Sequence, residues 1–418
     1  MTSTSPVWHP FTQHAVQPEA TLISKAEGAW LEAADGRRIL DAISSWWVVT
    51  HGHRHPHIVQ AIRNQVDRLD QVIFAGFTHQ PAEELARRLV AITPPELAYV
   101  FFSDSGSTAV EVALKMALGF WRNRGEKRTR ILALEGAYHG DTIGGMSVGE
   151  RGVFNAPYDP LLFDVERLPF PFAGREQATL DALNAACGNQ QIAALIVEPL
   201  ILGAGGMLIY PPWVLSEMKR ICQTHGVLLI ADEVMTGWGR TGTLFACEQA
   251  GVTPDIACYS KGLTGGSLPL AVTLCRADIF DAHYSADRSR TFFHSSSYTA
   301  NPIACAAAVA NLEVWEREPV RERLERVAAS HMKGLDRFRD DRRFQNVRQI
   351  GTIAALDLVV TDAGYMANIG PPLYQSFLAR GLLIRPLGNT IYIMPPYCCG
   401  TEELDLVYDA IGEIADEI

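Results

Sequence analysis

Lys261 stands in the segment DIACYSKGLTGG (255–266), just past a short apolar run and just ahead of a glycine pair. Asp232 closes a second apolar run, GVLLIADE (226–233). A lysine amine at the carboxyl end of a buried strand can form a Schiff base with an aldehyde. A carboxylate at the end of a neighbouring strand can keep a pyridine nitrogen protonated, so that the ring draws electrons from a bound substrate. Such a pair is what pyridoxal phosphate chemistry requires. The lysine must also be neutral part of the time, which burial and a nearby positive group bring about. Many lysines near strand ends are merely solvated, so the remaining parts of such a site have to be present elsewhere.

A phosphate holder is one of those parts. The segment VFFSDSGSTAVEVALKMAL reads as strand, then Ser-Asp-Ser-Gly-Ser-Thr, then helix. First-turn N–H groups and the positive end of the helix dipole make an anion site there. Gly106 permits close backbone approach and Ser107 adds a hydroxyl. Ser105 or Ser107 equally reads as an ordinary helix N-cap, and Asp104 suits an anion only if its side chain turns away. The segment EGAYHGD (135–141) offers an aromatic residue that could stack on a planar ring or simply pack on the core.

Three other patterns compete. GWGRTG (237–242) matches G-x-G-x-x-G, but it starts well past the strand end and no helical pattern follows, so a dinucleotide site is not supported. HGHRHPH (51–57) carries four histidines without a cysteine or carboxylate cluster, which favours loop packing and helix-entry hydrogen bonds over a metal. No P-loop signature occurs, and no metal is expected.

The elements that must position Lys261 and Asp232 follow from the hydrophobic pattern. Short apolar runs at Tyr99–Phe102, Arg130–Leu134, Ile192–Val197, Gly226–Ala231 and Ile256–Tyr259 alternate with helical segments. That alternation predicts an α/β fold with a large, mostly parallel sheet covered on both faces. Residues 60–315 are expected to form this large domain. Residues 1–59 and 316–418 are expected to form a small α/β domain, with a hairpin at Gly28–Ala42 turning at Asp35-Gly36, a long helix from about Asn301 to Arg339, and a C-terminal helix over Glu402–Ile418.

A length of 418 residues fits two domains, and 48% apolar with 20% charged residues is ordinary for a globular protein. The net charge of −11 argues against nucleic acid and anionic membrane as partners. Eight cysteines without CxxC spacing do not suggest a disulfide framework. The first residues show neither a basic n-region nor an apolar h-region, and no apolar run reaches membrane-spanning length. A cytoplasmic location is the expectation.

The motifs SGS, YHG, VEP, ADEVMTGWGRTG, SKGLTGG and ANPIACAAA, in that order, resemble the class III (fold-type I) pyridoxal phosphate aminotransferases over nearly the whole chain. HPFTQH (9–14), SSWWVVTHGHRHP (44–56), YHGDT (138–142) and IRPLGNTIYIMPPY (384–397) resemble more narrowly the biotin-pathway branch of that class. The resemblance implies that Lys261 carries the Schiff base and that Asp232 pairs with the pyridinium nitrogen. It implies that Gly106 and Ser107 hold the phosphate, and that Tyr138 stacks over the ring and contacts substrate. It places Arg385 on the substrate's terminal carboxylate, which its planar fork suits, and Trp46 and Trp47 along the substrate's aliphatic chain. It further implies a homodimer with the site at the interface, Ser296 and Ser297 reaching the cofactor phosphate of the other subunit and Ser295 beside them on the substrate side. The implied acceptor is 8-amino-7-oxononanoate and the implied amino donor S-adenosylmethionine. Trp47 also reads as packing, Arg240 as a brace for its loop, and Glu198 as a residue acting behind the site.

Two positions depart from the family pattern. HPFT replaces the usual HPYT, so Phe11 lacks the hydroxyl of a substrate-recognising tyrosine, a change typically worth on the order of 1 kcal/mol. Lysine or another amine therefore stays open as donor. Ser295-Ser296-Ser297 replaces Gly-Pro-Thr, and Ser297 can supply the missing hydroxyl.

Overall fold

The computed structural model describes residues 5–15 and 20–417. Its central sheet has seven strands, in the order Leu97–Ser103, Ala271–Arg276, Ile256–Tyr259, Leu228–Asp232, Ile192–Val197, Arg130–Leu134 and Glu166–Leu168. Six of the strands run one way, and Ala271–Arg276 is antiparallel to both of its neighbours. Every residue of Ile192–Val197, Leu228–Asp232 and Ile256–Tyr259 is buried. That burial is why those strands are uninterrupted apolar runs rather than alternating ones. Helices cover both faces, among them Gly106–Asn123, Glu176–Cys187, Pro212–His225 and Pro302–Arg317. Because the six parallel strands share a direction, Ser103, Leu134, Val197, Asp232 and Tyr259 all finish on one edge of the sheet, where α/β folds place their ligands.

Besides the short ribbon Ile201–Leu202/Leu208–Ile209, two further sheets come from the two ends of the chain. The hairpin Trp30–Ala33/Arg38–Asp41 turns where Asp35-Gly36 predicted, and Gly36 takes φ +88° there. It is joined by Ile23–Glu27 on one side and pairs in parallel with Leu382–Leu383 on the other. Phe344–Ile350, Ile353–Leu358 and Thr390–Ile393 make a second, antiparallel sheet, packed on the helices Val320–Asp336 and Thr401–Glu417. Ile418, at the end of the expected C-terminal helix, and residues 1–4 and 16–19 of the expected small domain lie outside the described residues.

The sequence reading needs one correction. The single long helix expected from Asn301 to Arg339 is two, Pro302–Arg317 and Val320–Asp336. Pro319 separates them: it has no N–H to donate and it pushes the residue before it out of the helical region, so Glu318 is extended at φ −111°, ψ 155°. The helix from Pro56 stops at Val66, where Arg68 and Leu69 both turn back to the Gln65 carbonyl. All eight cysteines are unpaired, as their spacing led one to expect. No helix among the described residues is long and apolar enough to cross a membrane.

Candidate active site

Asp232 and Lys261 sit at the ends of adjacent parallel strands, which places both on the carboxyl edge of the sheet. Asp232 is buried. One of its oxygens accepts from the Val234 N–H at 3.1 Å and the other lies 2.7 Å from Nδ1 of buried His139. The opposite ring nitrogen of His139 is also buried and has no hydrogen-bond partner among the described residues. From the sequence, the aromatic residues of EGAYHGD suit stacking on a ring or packing on the core. The structure makes His139 the partner of Asp232.

Lys261 takes φ +48°, a left-handed conformation that a lysine does not choose locally. It opens the short turn Lys261–Thr264, and Gly266 behind it lets the chain pass so close to the next segment that a Cβ would lie 2.5 Å from the Val48 carbonyl oxygen. The Lys261 Nζ lies over the Trp47 ring, 4.9 Å from its centroid. Burial lowers the amine from its ordinary 10.5 to about 8, although the negative charges of Asp232 and Glu198 oppose that shift. Glu198, just past the strand Ile192–Val197, is held at the same edge. Its oxygens accept from the Tyr138 N–H at 2.9 Å and the Gly203 N–H at 3.0 Å. Burial first, and then Asp232, push its carboxyl up to about 7. Tyr138 is half-buried, and burial raises its hydroxyl above the ordinary tyrosine value.

The helix Gly106–Asn123 presents its N-terminus to this edge. Ser105 is its cap, accepting from the Thr108 N–H at 3.2 Å while Thr108 Oγ1 accepts from the Ser105 N–H at 2.9 Å. Ser107 is therefore not the cap, and its Oγ instead accepts from the Asp141 N–H at 3.2 Å. A Cβ on Gly106 would stand 2.6 Å from the Val234 side chain, so any larger residue there would have to push Val234 aside. Asp104 does turn away: its carboxylate accepts from the Ser296 hydroxyl. Ser295 and Ser297 flank that contact, the latter through its carbonyl, which accepts from Gln71 Nε2 at 2.8 Å.

The residues expected along the substrate also come together. Trp46 and Trp47 belong to the helical turn Ser44–Trp47, whose four residues all have positive φ, at +54°, +47°, +78° and +72°. A left-handed turn without glycine costs about 1–2 kcal/mol per residue, so the surroundings must hold it. Exposed Trp46 has the Arg385 guanidinium over its ring at 5.3 Å and Phe11 edge-on at 5.5 Å. Arg385 Nη2 donates to the Phe11 carbonyl at 2.9 Å. Phe154 lies 6.0 Å from Phe11 and 4.4 Å from Tyr365, closing an aromatic cluster that the sequence did not reveal. Trp47 is buried against Tyr392, 5.9 Å away, so it packs and also floors the lysine.

Arg240 is a brace, but for more than its own loop. Its buried guanidinium donates to the carbonyls of Pro395 and Val49, both at 2.9 Å, and of Trp47 at 3.4 Å. The GWGRTG segment is thus structural. The histidine run is too: His51 meets Asn311 at 3.0 Å, His53 meets Asp41 at 2.8 Å, His55 meets Glu318 at 3.0 Å, and His57 meets Glu313 at 2.5 Å. No metal-binding group of histidine, cysteine and carboxylate occurs among the described residues.

These residues fit pyridoxal phosphate. A lysine amine that burial has lowered to about 8, a buried carboxylate at the next strand end, and a capped helix N-terminus that opens on a glycine packed against Val234 match its aldehyde, ring nitrogen and phosphate. The aminotransferase class-III family pattern matches residues 11–415. The chain belongs to the class-III aminotransferases. This class-III aminotransferase is 50% identical over 421 residues to the adenosylmethionine-8-amino-7-oxononanoate aminotransferase of Synechococcus elongatus, with 99% of each chain covered. Its fold superposes with a TM-score of 0.93 on the enzyme of the same name from Methanocaldococcus jannaschii, at 34% identity and covering 98% and 97% of the two chains. An amine transaminase from an uncultivated Pseudomonas species, solved with pyridoxal phosphate bound, matches with the same TM-score and identity over 99% of each chain. Membership in the class brings pyridoxal 5′-phosphate as cofactor and amino-group transfer as the reaction.

Proposed function

We propose that this aminotransferase converts 8-amino-7-oxononanoate to 7,8-diaminononanoate in biotin biosynthesis, with S-adenosylmethionine as amino donor. The relatives named for that reaction support it, the first of them half identical over the full chain. The structural observation that carries it is the pair of adjacent tryptophans between two cations. Trp47 lies under the Lys261 amine and Trp46 under the Arg385 guanidinium. An aromatic slot with an amine at one end and a guanidinium at the other suits an aliphatic keto acid. Its carbonyl faces the lysine and its carboxylate the arginine.

Bound pyridoxal phosphate supplies the reactive aldehyde and an electron sink for the bonds at the substrate's amino-bearing carbon. The side chains do the rest. Lys261 Nζ, neutral in a useful fraction at an amine value of about 8, takes the proton from the donor's α-carbon and later returns one to the product. Asp232, oriented by His139, keeps the ring nitrogen protonated by its charge. Tyr138 covers the ring face. The first-turn N–H groups of Gly106 and Ser107, with the Ser107 hydroxyl, bind the phosphate. Arg385 binds the keto acid's carboxylate, and Phe11, Trp46 and Trp47 exclude water from its chain.

The protein acts in the cytoplasm as a homodimer with the site at the interface. Support for the dimer comes from one patch. Gln71 bonds the Ser297 carbonyl and Asn301 bonds the Asp70 carbonyl, joining two segments that carry the exposed side chains Ile73, Phe77, Phe293 and Tyr298. Ser295, Ser296 and Ser297 lie on this patch, where Ser296 and Ser297 reach the partner's cofactor phosphate and Ser295 faces its substrate. Residues 60–315 form the large domain, and 1–59 with 316–418 the small one. The parallel pairing of Arg38–Asp41 with Leu382–Leu383 supports that division.

A second reading keeps the chemistry and changes the donor to lysine or another amine. Phe11, which has no hydroxyl to offer a donor, favours it. Mixing the holoenzyme with each candidate and following the cofactor spectrum decides between them. Conversion to the amine form of the cofactor by S-adenosylmethionine alone supports the first reading, and conversion by lysine alone sinks it. Growth of a bacterial strain lacking this biotin step, once supplied with the gene, tests the acceptor. Failure to grow together with no diaminononanoate formed in vitro removes the assignment.

A further inference from the structure

Asp41 ends the strand Arg38–Asp41 and is fully buried. One carboxylate oxygen accepts from the N–H groups of Ile43 at 3.3 Å and Ser45 at 2.9 Å. The other accepts from the Ser45 hydroxyl at 2.7 Å and lies 2.8 Å from Nε2 of His53. A buried carboxylate of this kind is retained only when its lone pairs are filled, and here every hydrogen-bond partner among the described residues belongs to the left-handed turn, its lead-in or His53. Ser44 Oγ anchors the same turn to the Met394 carbonyl at 2.8 Å, and Arg240 takes the carbonyls that leave it. The turn's own bonds, Trp47 N–H to Ile43 at 2.9 Å and Val48 N–H to Ser44 at 2.9 Å, are those of a single helical turn wound the wrong way for L-residues. Ser-Ser-Trp-Trp would not hold that winding unaided.

The consequence is directional. In a right-handed or extended 44–47 segment the two indoles would leave their places over Lys261 and Arg385. We propose that Asp41, seated on His53, is a positioning residue for the acceptor. By holding Ser44–Trp47 left-handed it sets Trp46 and Trp47 as the two walls of the keto-acid slot, and it touches neither substrate nor cofactor. The inference rests on the proposed reading of those tryptophans as slot walls, and it assigns their geometry to a carboxylate outside the slot.

The test uses the holoenzymes Asp41→Ala, Ser45→Gly, the double variant, and Trp47→Ala, with kinetics for the keto acid and crystal structures of each. Asp41→Ala is expected to raise the acceptor KM at least roughly tenfold and to lower kcat by a smaller factor, because both slot walls loosen while Lys261 keeps its place on the sheet edge and loses only the Trp47 ring beneath it. Its crystal structure shows Ser45 at negative φ. Glycine adopts positive φ freely, so Ser45→Gly in the Asp41→Ala background returns KM to within about threefold of the parent. A residue needed only for general stability would not be rescued by a glycine that adds no contact. The inference is overturned if Asp41→Ala keeps the turn left-handed with an unaltered KM, or if its raised KM is not lowered by Ser45→Gly. Should Asp41→Ala not fold, Asp41→Asn takes its place. It keeps an acceptor toward the two N–H groups, so its KM rises less and falls again with Ser45→Gly; a KM equal to the parent's overturns the inference. Trp47→Ala separates the two layers. An unchanged acceptor KM there removes the slot reading itself, whereas a raised KM there with an unchanged one in Asp41→Ala removes only the role given to Asp41.

Discussion

The environment of the Lys261 amine is costly to the fold, and replacing the residue with methionine exposes that cost. In the unfolded chain the amine titrates near its ordinary 10.5; in the fold burial holds it at about 8, against the pull of Asp232 and Glu198. A difference of that size corresponds to ~3 kcal/mol by which folding disfavours the protonated amine at neutral pH. The sign is fixed by proton counting. Below pH 8 the amine is protonated in both states and the full penalty applies. Between pH 8 and 10.5 the unfolded chain holds the proton that the fold has released, so the wild-type apoprotein gains stability as pH rises. Above 10.5 the penalty is gone. Lys261→Met keeps the length of the side chain and removes the charge, so the cofactor-free variant is expected to be more stable than the wild type at pH 7 by up to ~3 kcal/mol. Over 418 residues that is a melting-point gain of ~3 °C. Thermal unfolding of both apoproteins at pH 7, 8, 9 and 10, at one protein concentration, reads it out. The gain should shrink steadily above pH 8. A variant less stable than the wild type at pH 7, or a gain that is the same at pH 7 and pH 10, would refute burial as the cause of the lowered amine.

Glu198 supplies the opposite slope. Its folded value of about 7 lies above the ordinary 4.5, so its contribution is fully present below 4.5 and is lost as pH rises through 7, a change of ~3 kcal/mol. Glu198→Gln should flatten the stability profile between those pH values by that amount, and chemical unfolding at pH 5 and pH 8 measures it; an unaltered slope excludes Glu198 as its source. Arg385→Lys retains charge but loses the planar fork. It should lower kcat/KM for the keto acid on the order of 10- to 100-fold, chiefly through KM, and steady-state kinetics showing an unchanged KM would take Arg385 off the carboxylate.

Local chemistry made much of this protein legible from its sequence. Ile192–Val197 and Ile256–Tyr259 begin and end where their apolar runs do, because strands buried on both faces carry no charged residue to blur the boundary. Lys261 and Asp232 were found for the same reason: a charged residue right after such a run must lie on the carboxyl edge of the sheet. Ala271–Arg276 was not recognised, since nothing in its own residues distinguishes an antiparallel insertion from the other buried strands; its pairing with Leu97–Ser103 does. The break at Pro319 is visible in the sequence as a proline, but the helical charge pattern on both sides of it masks the boundary.

Within the site, residue types named the chemistry and tertiary contacts set its terms. That Lys261 titrates near 8 and Glu198 near 7 follows from how deeply the fold buries them, which no spacing encodes. That His139 serves Asp232 depends on the sheet bringing the loop after Arg130–Leu134 to the same edge as the end of Leu228–Asp232, with Ile192–Val197 between the two strands. The turn at Ser44–Trp47 shows the division most plainly. The two tryptophans mark an aromatic pocket in the sequence, but Ser-Ser-Trp-Trp has no glycine to announce positive φ. Its left-handed winding is imposed by Asp41, Arg240 and the Met394 carbonyl, and only the folded chain brings those groups together around it.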